Sequence, residues 1–371
     1  MRIQTTELRE IRLPLRFPYE TSVGRTTERK IILTRVLDTD GGVGWGECTS
    51  DEDPFYSEEW TDGSWLMLQD YLAPLLLSSV VDYPGEVDGL FKHIRRHHMA
   101  KAALETACWD LAAHRAGLPL WQFIGGNQHT VRAGVAIGLQ ESVEKLIEVV
   151  GSEQAAGYQR VKIKIKPGRD IQLVAAVRGA FPDLPLMVDA NSAYSLADLD
   201  LFRSLDRFSL MMIEQPLAHD DLSRHAVLQR QITTPICLDE SVCSPGDAED
   251  ALSLGSCRVI NVKLGRVGGY SNAIAIERLC RAAAIPLWCG GMLESGVGRA
   301  HNVALSTLEG FSLPGDLSAS SRYWDQDIIQ PPVTVSSEGL ITPSSRPGLG
   351  HDVDLDLVER LTVRRTAIHR Q

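Results

Sequence analysis

Basic charge is in short supply in this 371-residue chain: 37 Lys and Arg stand against 48 Asp and Glu, a formal net charge of -11. A field of that sign repels nucleic acid and anionic lipid, so neither is an expected partner. No stretch reaches the ~18 uninterrupted apolar residues a membrane helix needs. The start, MRIQTTELREIRLPL, lacks the apolar core of a secretory signal behind its first Arg. The seven cysteines (48, 108, 237, 243, 257, 280 and 289) are odd in number, include no CxxC pair and mostly lie inside apolar runs. Buried thiols in a reducing compartment fit that pattern better than a disulfide framework, and a cytoplasmic location is expected. With 31 Gly, 18 Pro, 44% hydrophobic and 23% charged residues, the composition excludes a collagen-like or disordered chain. At roughly 100 to 200 residues per domain, the length allows two or three domains, or one large barrel with an appendage.

The texture changes along the chain. Residues 1–125 read as an α+β unit. Alternating runs at 3–13, 30–38 and 42–48 predict antiparallel strands, with Asp40-Gly41-Gly42 as a turn, and helical spacing follows at 65–77, 85–93 and 99–115. Residues 126–322 instead alternate short apolar runs with helical stretches, the runs falling at 131–139, 161–165, 184–188, 210–213, 236–238, 259–262, 285–289 and, more weakly, near Phe311. Eight such strands joined by helical crossovers predict a parallel sheet closed into a (β/α)8-type barrel. The Pro- and Gly-rich tail, 323–371, carries one amphipathic piece at 353–361 and is expected to return to the first unit.

A polar residue ends five successive runs: Lys164 in VKIKIK, Asp189 in MVDAN, Glu214 in MIEQP, Asp239 in CLDES and Lys263 in INVKLG, spaced 25, 25, 25 and 24 residues apart. One β/α unit is repeated at each step, so all five belong at the C-terminal mouth, where such barrels place their active sites. Taken singly, each has an ordinary explanation: VKIKIK as a solvated strand, an Asp or Glu after a strand as a helix cap. Five unrelated surface residues have no reason to share one repeat.

Three converging carboxylates repel one another unless a cation lies among them, and an oxygen-only donor set favours Mg2+, with Mn2+ as a substitute. Lysines cannot ligate while protonated. Lys164 and Lys263 flank the acids on opposite sides, as two acid/base groups would flank a cation-held substrate. A general base works best near pH ~7 to 8, well below lysine's ordinary value, so the site must lower it. Lys162, two residues back on the same strand face and roughly 7 Å away, and the metal are together expected to do this for Lys164, and Arg266 to do the same for Lys263. This equipment suits removal of a proton α to a carboxylate.

The segments VKIKIKPGRD, VDANSAY, IEQPL, ICLDES, VKLGRVGGY, CGGMLESGVG and LPGDLSAS resemble, in order, the motifs of the enolase superfamily. More narrowly, they are similar to its muconate-lactonizing subgroup, in the branch of o-succinylbenzoate synthases and N-succinylamino acid racemases. The likeness extends to GWGECTSDEDPFYSEEW and HHMAKAALETACWDL near the N-terminus. It implies a barrel capped by an α+β domain built from the N-terminal region and the C-terminal tail. It implies Lys164 as the proton-abstracting base with Lys162 as companion, Asp189, Glu214 and Asp239 as Mg2+ ligands, and Lys263 as the acid/base on the opposite face. Asn191 and Glu240 are expected beside the ligands. Two cap loops, 17–24 and 50–56, would close over a small carboxylate substrate, with Phe17, Tyr19 and Tyr56 in contact with it. Met292 and Leu293 would form part of the wall, and Arg266 would complete the substrate-binding set. The sequence departs from many such relatives at Ala136, where a Ser is common.

The implied reaction is dehydration of 2-succinyl-6-hydroxy-2,4-cyclohexadiene-1-carboxylate to o-succinylbenzoate, a step towards menaquinone. Racemisation of N-succinylamino acids is the alternative, and both are expected in one site because Arg266 follows Lys263. Dipeptide epimerase and muconate cycloisomerase come third. A binding protein that kept the barrel but lost the chemistry should lack one of the five strand-end residues, and all five are present. A homo-oligomer is the expected assembly.

Overall fold

The structure of the protein, a computed structural model, describes residues 1–20 and 24–371. Strands β1 (Ile3–Glu20), β2 (Arg25–Asp38) and β3 (Val43–Cys48) form an antiparallel sheet with the C-terminal strand Thr362–His369, which pairs with β1. The alternation expected of a half-exposed sheet gives way at 31–34, where four consecutive residues are buried. One face, with Ile32 and Val36, packs on the cap helices, and the other, with Ile31 and Leu33, packs towards the barrel.

The three expected cap helices are found at Thr61–Ser78, Glu86–Leu90 and α1 (His98–Ala116), the first of them with a wider π turn at Leu68–Leu72. Residues 99–113 of α1 are all buried, and the helix ends at Gly117 in a left-handed conformation (φ 65°). Helix α1 approaches β3 closely because Gly44 and Gly46 lack side chains. A Cβ there would stand 2.1 Å from the Ala107 carbonyl oxygen and 2.0 Å from that of Ala103.

The parallel strands are β4 (Val135–Ile137), β5 (Val161–Lys164), β6 (Leu186–Asp189), β7 (Ile213–Glu214), β8 (Ile236–Leu238), β9 (Val259–Val262) and β10 (Leu287–Cys289), each bonded to the next in chain order. The eighth run forms no regular strand. Pro314 has no N–H to give a ladder, yet the segment bonds to both sides. Leu313 N and Asp316 N donate to Leu287 O and Cys289 O, Gly315 N donates to Arg132 O and Gly134 N to Gly315 O, so the ring closes. Met187, Met212, Cys237, Val259 and Trp288 fill its interior. The tail first packs on the barrel, with Leu340–Ile341 pairing with Val131–Arg132, before its last strand rejoins the cap sheet. All seven cysteines are free thiols, six of them buried. No helix among the described residues is long and apolar enough to cross a membrane.

Buried carboxylates join cap to barrel at helix N-termini, where unpaired N–H groups attract negative charge. Glu47 on β3 accepts from Ser295 N and Gly298 N of the helix α3 (Gly296–Leu305) region at 3.0 and 2.9 Å. Glu105 on α1 accepts from Tyr270 N and Ser271 N, at 2.8 and 2.9 Å, at the start of α2 (Tyr270–Ala282), and also from Ser271 Oγ and Trp109 Nε1. Burial pushes the Glu105 carboxyl up to about 7 although these donors pull it down. A raised folded-state value means that the group's contribution is full below its ordinary value and is lost as pH rises through the folded one. Glu105→Gln, neutral throughout, should therefore lower Tm relative to wild type more at about pH 5 than at about pH 8. Calorimetry at the two pH values checks this, and an equal loss at both would contradict it.

Candidate active site

Register carries three of the strand-end residues to one level, Lys164 pairing with Asp189 and Asp189 with Glu214, while Glu214 pairs with Cys237, two residues before Asp239. The backbone turns sharply just beyond, with positive φ at Asn191 (40°), Ser192 (62°), Gln215 (38°) and Leu293 (56°). Such strained conformations of non-glycine residues gather at functional sites. The mouth opens into a cavity of about 360 Å³ lined from the barrel by Ala136, Lys162, Lys164, Asp189, Lys263 and Asp316, and from the cap by Tyr19 and Tyr56.

The carboxylates are held apart by ammonium groups. Lys162 Nζ lies 2.8 Å from Glu214 Oε2, 3.2 Å from Asp189 Oδ2 and 2.7 Å from Asp316 Oδ2. Lys164 Nζ donates to Asp189 Oδ2 at 2.7 Å and Asn191 Oδ1 at 2.6 Å, and Lys263 Nζ to Asp239 Oδ2 at 2.7 Å. Asn191 Nδ2 in turn donates to Glu240 Oε1 at 3.1 Å. Among the described residues no three His, Cys, Asp or Glu side chains close on one point as a finished metal cage; the ammonium groups stand in the gaps.

Electrostatics nevertheless marks a place for a cation. Burial, together with the negative charge of Asp189 and Asp239, pushes Glu214 up to about 8 despite Lys162. Burial would raise Asp189 too, but Lys164 and Lys162 hold it below the usual carboxylate range. Asp239 Oδ1 and Glu240 Oε2 are buried oxygens without a hydrogen bond; Arg266 Nε is 3.2 Å from Asp239 Oδ1 but misaligned for one. A crowded, oxygen-only set with unsatisfied oxygens fits a hard divalent ion.

Like-charge neighbours do not by themselves lower the two lysines. Burial is the largest influence and disfavours the Lys164 ammonium, and Lys162 adds to this, but Asp189, Tyr19 and Glu214 together hold Lys164 above its ordinary value. Lys263 is likewise raised: burial and Arg266 disfavour its charge, but Asp239, Glu240 and Glu214 together prevail. A like-charge neighbour is offset where a lysine sits against buried carboxylates.

A (β/α)8-type barrel whose mouth carries three buried carboxylates between lysines, under an α+β cap, defines the enolase class of enzymes. Residues 3–125 match the mandelate racemase / muconate lactonizing enzyme N-terminal domain, and residues 145–357 the enolase C-terminal domain-like family. An o-succinylbenzoate synthase of Geobacillus kaustophilus is 52% identical over 368 residues, 99% of this chain and 98% of that protein. An N-succinylamino acid racemase of Thermus thermophilus is 46% identical over 363 residues, 98% of each chain. The crystal structure of an enolase-superfamily member from Listeria innocua, 42% identical, matches with a TM-score of 0.97 over 100% of both chains. The chain belongs to the mandelate racemase / muconate lactonizing enzyme family of the enolase superfamily.

Of the expected substrate contacts, Tyr19, Tyr56, Met292 and Leu293 line the cavity, whereas Phe17 is 70% exposed and outside its lining. The loop 17–24 includes residues 21–23, which lie outside the described residues. Arg266 sits behind Tyr56 and donates to its hydroxyl at 2.6 Å. Sequence reasoning passed over Asn261, which donates to Glu214 Oε1 at 2.8 Å, and Gln215, whose Oε1 accepts from Asp239 N at 3.0 Å. It also passed over Trp288, under the Lys162 ammonium, and Asp316. For Asn261 a signal existed: it stands two residues before Lys263, as Lys162 does before Lys164, and so shares a strand face with it.

The Tyr56 hydroxyl also accepts from Lys263 Nζ at 3.0 Å, so one cap side chain serves two buried barrel cations. Tyr56→Phe leaves both with an unmet donor and should destabilise the folded protein by about 1–3 kcal/mol. Urea denaturation measures it, and a midpoint equal to wild type would show that the contact contributes nothing.

Proposed function

We propose that the protein is a divalent-cation-dependent o-succinylbenzoate synthase that also racemises N-succinylamino acids in the same site. The observation that carries this is the placement of Lys164 on β5 and of Lys263, just past β9, on one cavity, four strands apart around the ring. A substrate α-carbon between them meets a base on one face and an acid on the other. The names of close full-length relatives, a synthase and a racemase, support the same pair of activities.

Lys164 is assigned as the base that removes the α-proton, and Asn191 and Asp189 hold its amine in place. Mg2+, bound by Asp189, Glu214 and Asp239, would supply the charge that offsets the second negative charge developing on the substrate carboxylate. For syn dehydration Lys164 can return its proton to the departing hydroxyl while Lys263 steadies the dianion through its charge. For racemisation Lys263 delivers a proton to the opposite face. Tyr19, Tyr56, Met292 and Leu293 exclude water from above. A dipeptide epimerase is disfavoured. Asp316 is already engaged by Lys162 and Arg160, and the following Leu317 and Ser318 offer no second carboxylate for an ammonium group. The reading places the enzyme in the cytoplasm, on the route to menaquinone.

Chelation should abolish both activities and Mg2+ or Mn2+ should restore them; full turnover in a metal-free preparation would contradict the ligand assignment. In heavy water each enantiomer of an N-succinylamino acid should gain deuterium at the α-carbon. Either Lys164→Ala or Lys263→Ala should end racemisation, each retaining exchange with one enantiomer only. Dehydration should vanish in Lys164→Ala and survive better in Lys263→Arg than in Lys263→Ala. Unaltered dehydration in Lys164→Ala would refute the base assignment.

A further inference from the structure

The segment that closes the barrel brings a further carboxylate, Asp316, to the site. Asp316 is anchored through its own N–H to Cys289 O and through its neighbour Gly315 N to Arg132 O. Its two oxygens face different cations: Oδ1 accepts from Arg160 Nη1 at 2.6 Å, and Oδ2 lies 2.7 Å from Lys162 Nζ. Both cations are buried, and both lie over the same Trp288 ring, at 4.8 and 4.9 Å from its centroid. Arg160 cannot swing away. Its Nη2 is bound to Pro314 O at 2.7 Å, and Gly134 makes room for it, since a Cβ there would stand 2.6 Å from Arg160 Cζ.

Two like charges stacked on one ring repel each other unless an anion lies between them, and Asp316 is that anion. The geometry also divides the protons of Lys162. An ammonium has three N–H groups, and Asp316, Glu214 and Asp189 stand around this one at 2.7, 2.8 and 3.2 Å. Without Asp316, the whole charge of Lys162, with that of Arg160 behind it, would bear on Glu214 and Asp189. An incoming divalent ion would then compete with two buried cations for the same oxygens.

We infer that Asp316 is a positioning residue that keeps Asp189 and Glu214 available to a divalent cation by drawing Lys162 and Arg160 onto itself. This rests on the reading of Asp189, Glu214 and Asp239 as the cation site, and it adds a residue outside that ligand set.

The test is isothermal titration of the full-length protein with Mn2+, with thermal melts to establish folding. Asp316→Asn keeps the shape and removes the charge, and should weaken Mn2+ binding by about tenfold to a hundredfold. Asp316→Glu keeps the charge and should lie closer to wild type than Asn does. Packing alone would give the reverse order. Arg160→Met leaves Asp316 wholly to Lys162 and should bind Mn2+ more tightly than wild type, a gain that no folding defect produces. Wild-type affinity in folded Asp316→Asn, or an Asn variant closer to wild type than Glu, would overturn the inference. If the Asn variant does not fold, unchanged or weaker binding in Arg160→Met overturns it instead. Absence of Mn2+ binding by the wild type would be a different failure, that of the cation-site reading itself.

Discussion

Like charges buried a few ångströms apart must be separated by charge of the opposite sign, and the mouth of this barrel is organised around that requirement. Asp189, Glu214 and Asp239 are almost wholly removed from water, where each would be costly to keep ionised alone. Lys162, Lys164 and Lys263 stand between them, and Glu214, nearest to being uncompensated, is the one pushed up to about 8. Removing any one of them would leave its buried neighbours less well compensated, so these side chains are mutually dependent, and the strand-to-strand register is constrained with them.

The cap is bound to the barrel by the same kind of economy. Glu47 and Glu105 reach from the cap to the N-termini of α3 and α2, and His301 returns the contact by bonding the Trp45 carbonyl at 2.8 Å. Burial holds both carboxyls near 7, far above the ordinary value, so each is kept in place by donors rather than by its own comfort there. This rigid attachment lets the cap loop place Tyr56 over Lys263 and Arg266. The site is therefore assembled from two folding units, and its upper wall exists only when they are docked.

Under the proposed function, one arrangement serves two outcomes because both begin with the same proton transfer. What differs is what the intermediate can lose or regain: a hydroxyl on the face of Lys164, or a proton from Lys263. On that reading the small Ala136 in the lining offers a substrate no polar group, and selection falls more heavily on the cap side chains and on Met292 and Leu293.

The five strand-end residues were legible in the sequence because a β/α repeat of constant length returns the chain to the same level of the ring, so periodicity encodes proximity. The cap helices and seven of the barrel strands were legible for a related reason: burial on one or both faces imposes its own spacing of apolar residues. The eighth strand was only weakly legible, since Pro314 breaks the ladder and closure depends on bonds to Arg132 and Cys289 far away in the chain. Arg160 and Asp316 left no local signal of their roles, because each is defined by a partner elsewhere in the ring. The same holds for the lysine pKa values. Sequence spacing shows the neighbouring lysine, but only the tertiary structure shows the carboxylate at 2.7 Å that outweighs it. Chain spacing sets which residues share a level, and three-dimensional distance sets which charge prevails, because Coulomb energy depends on separation in space rather than along the sequence.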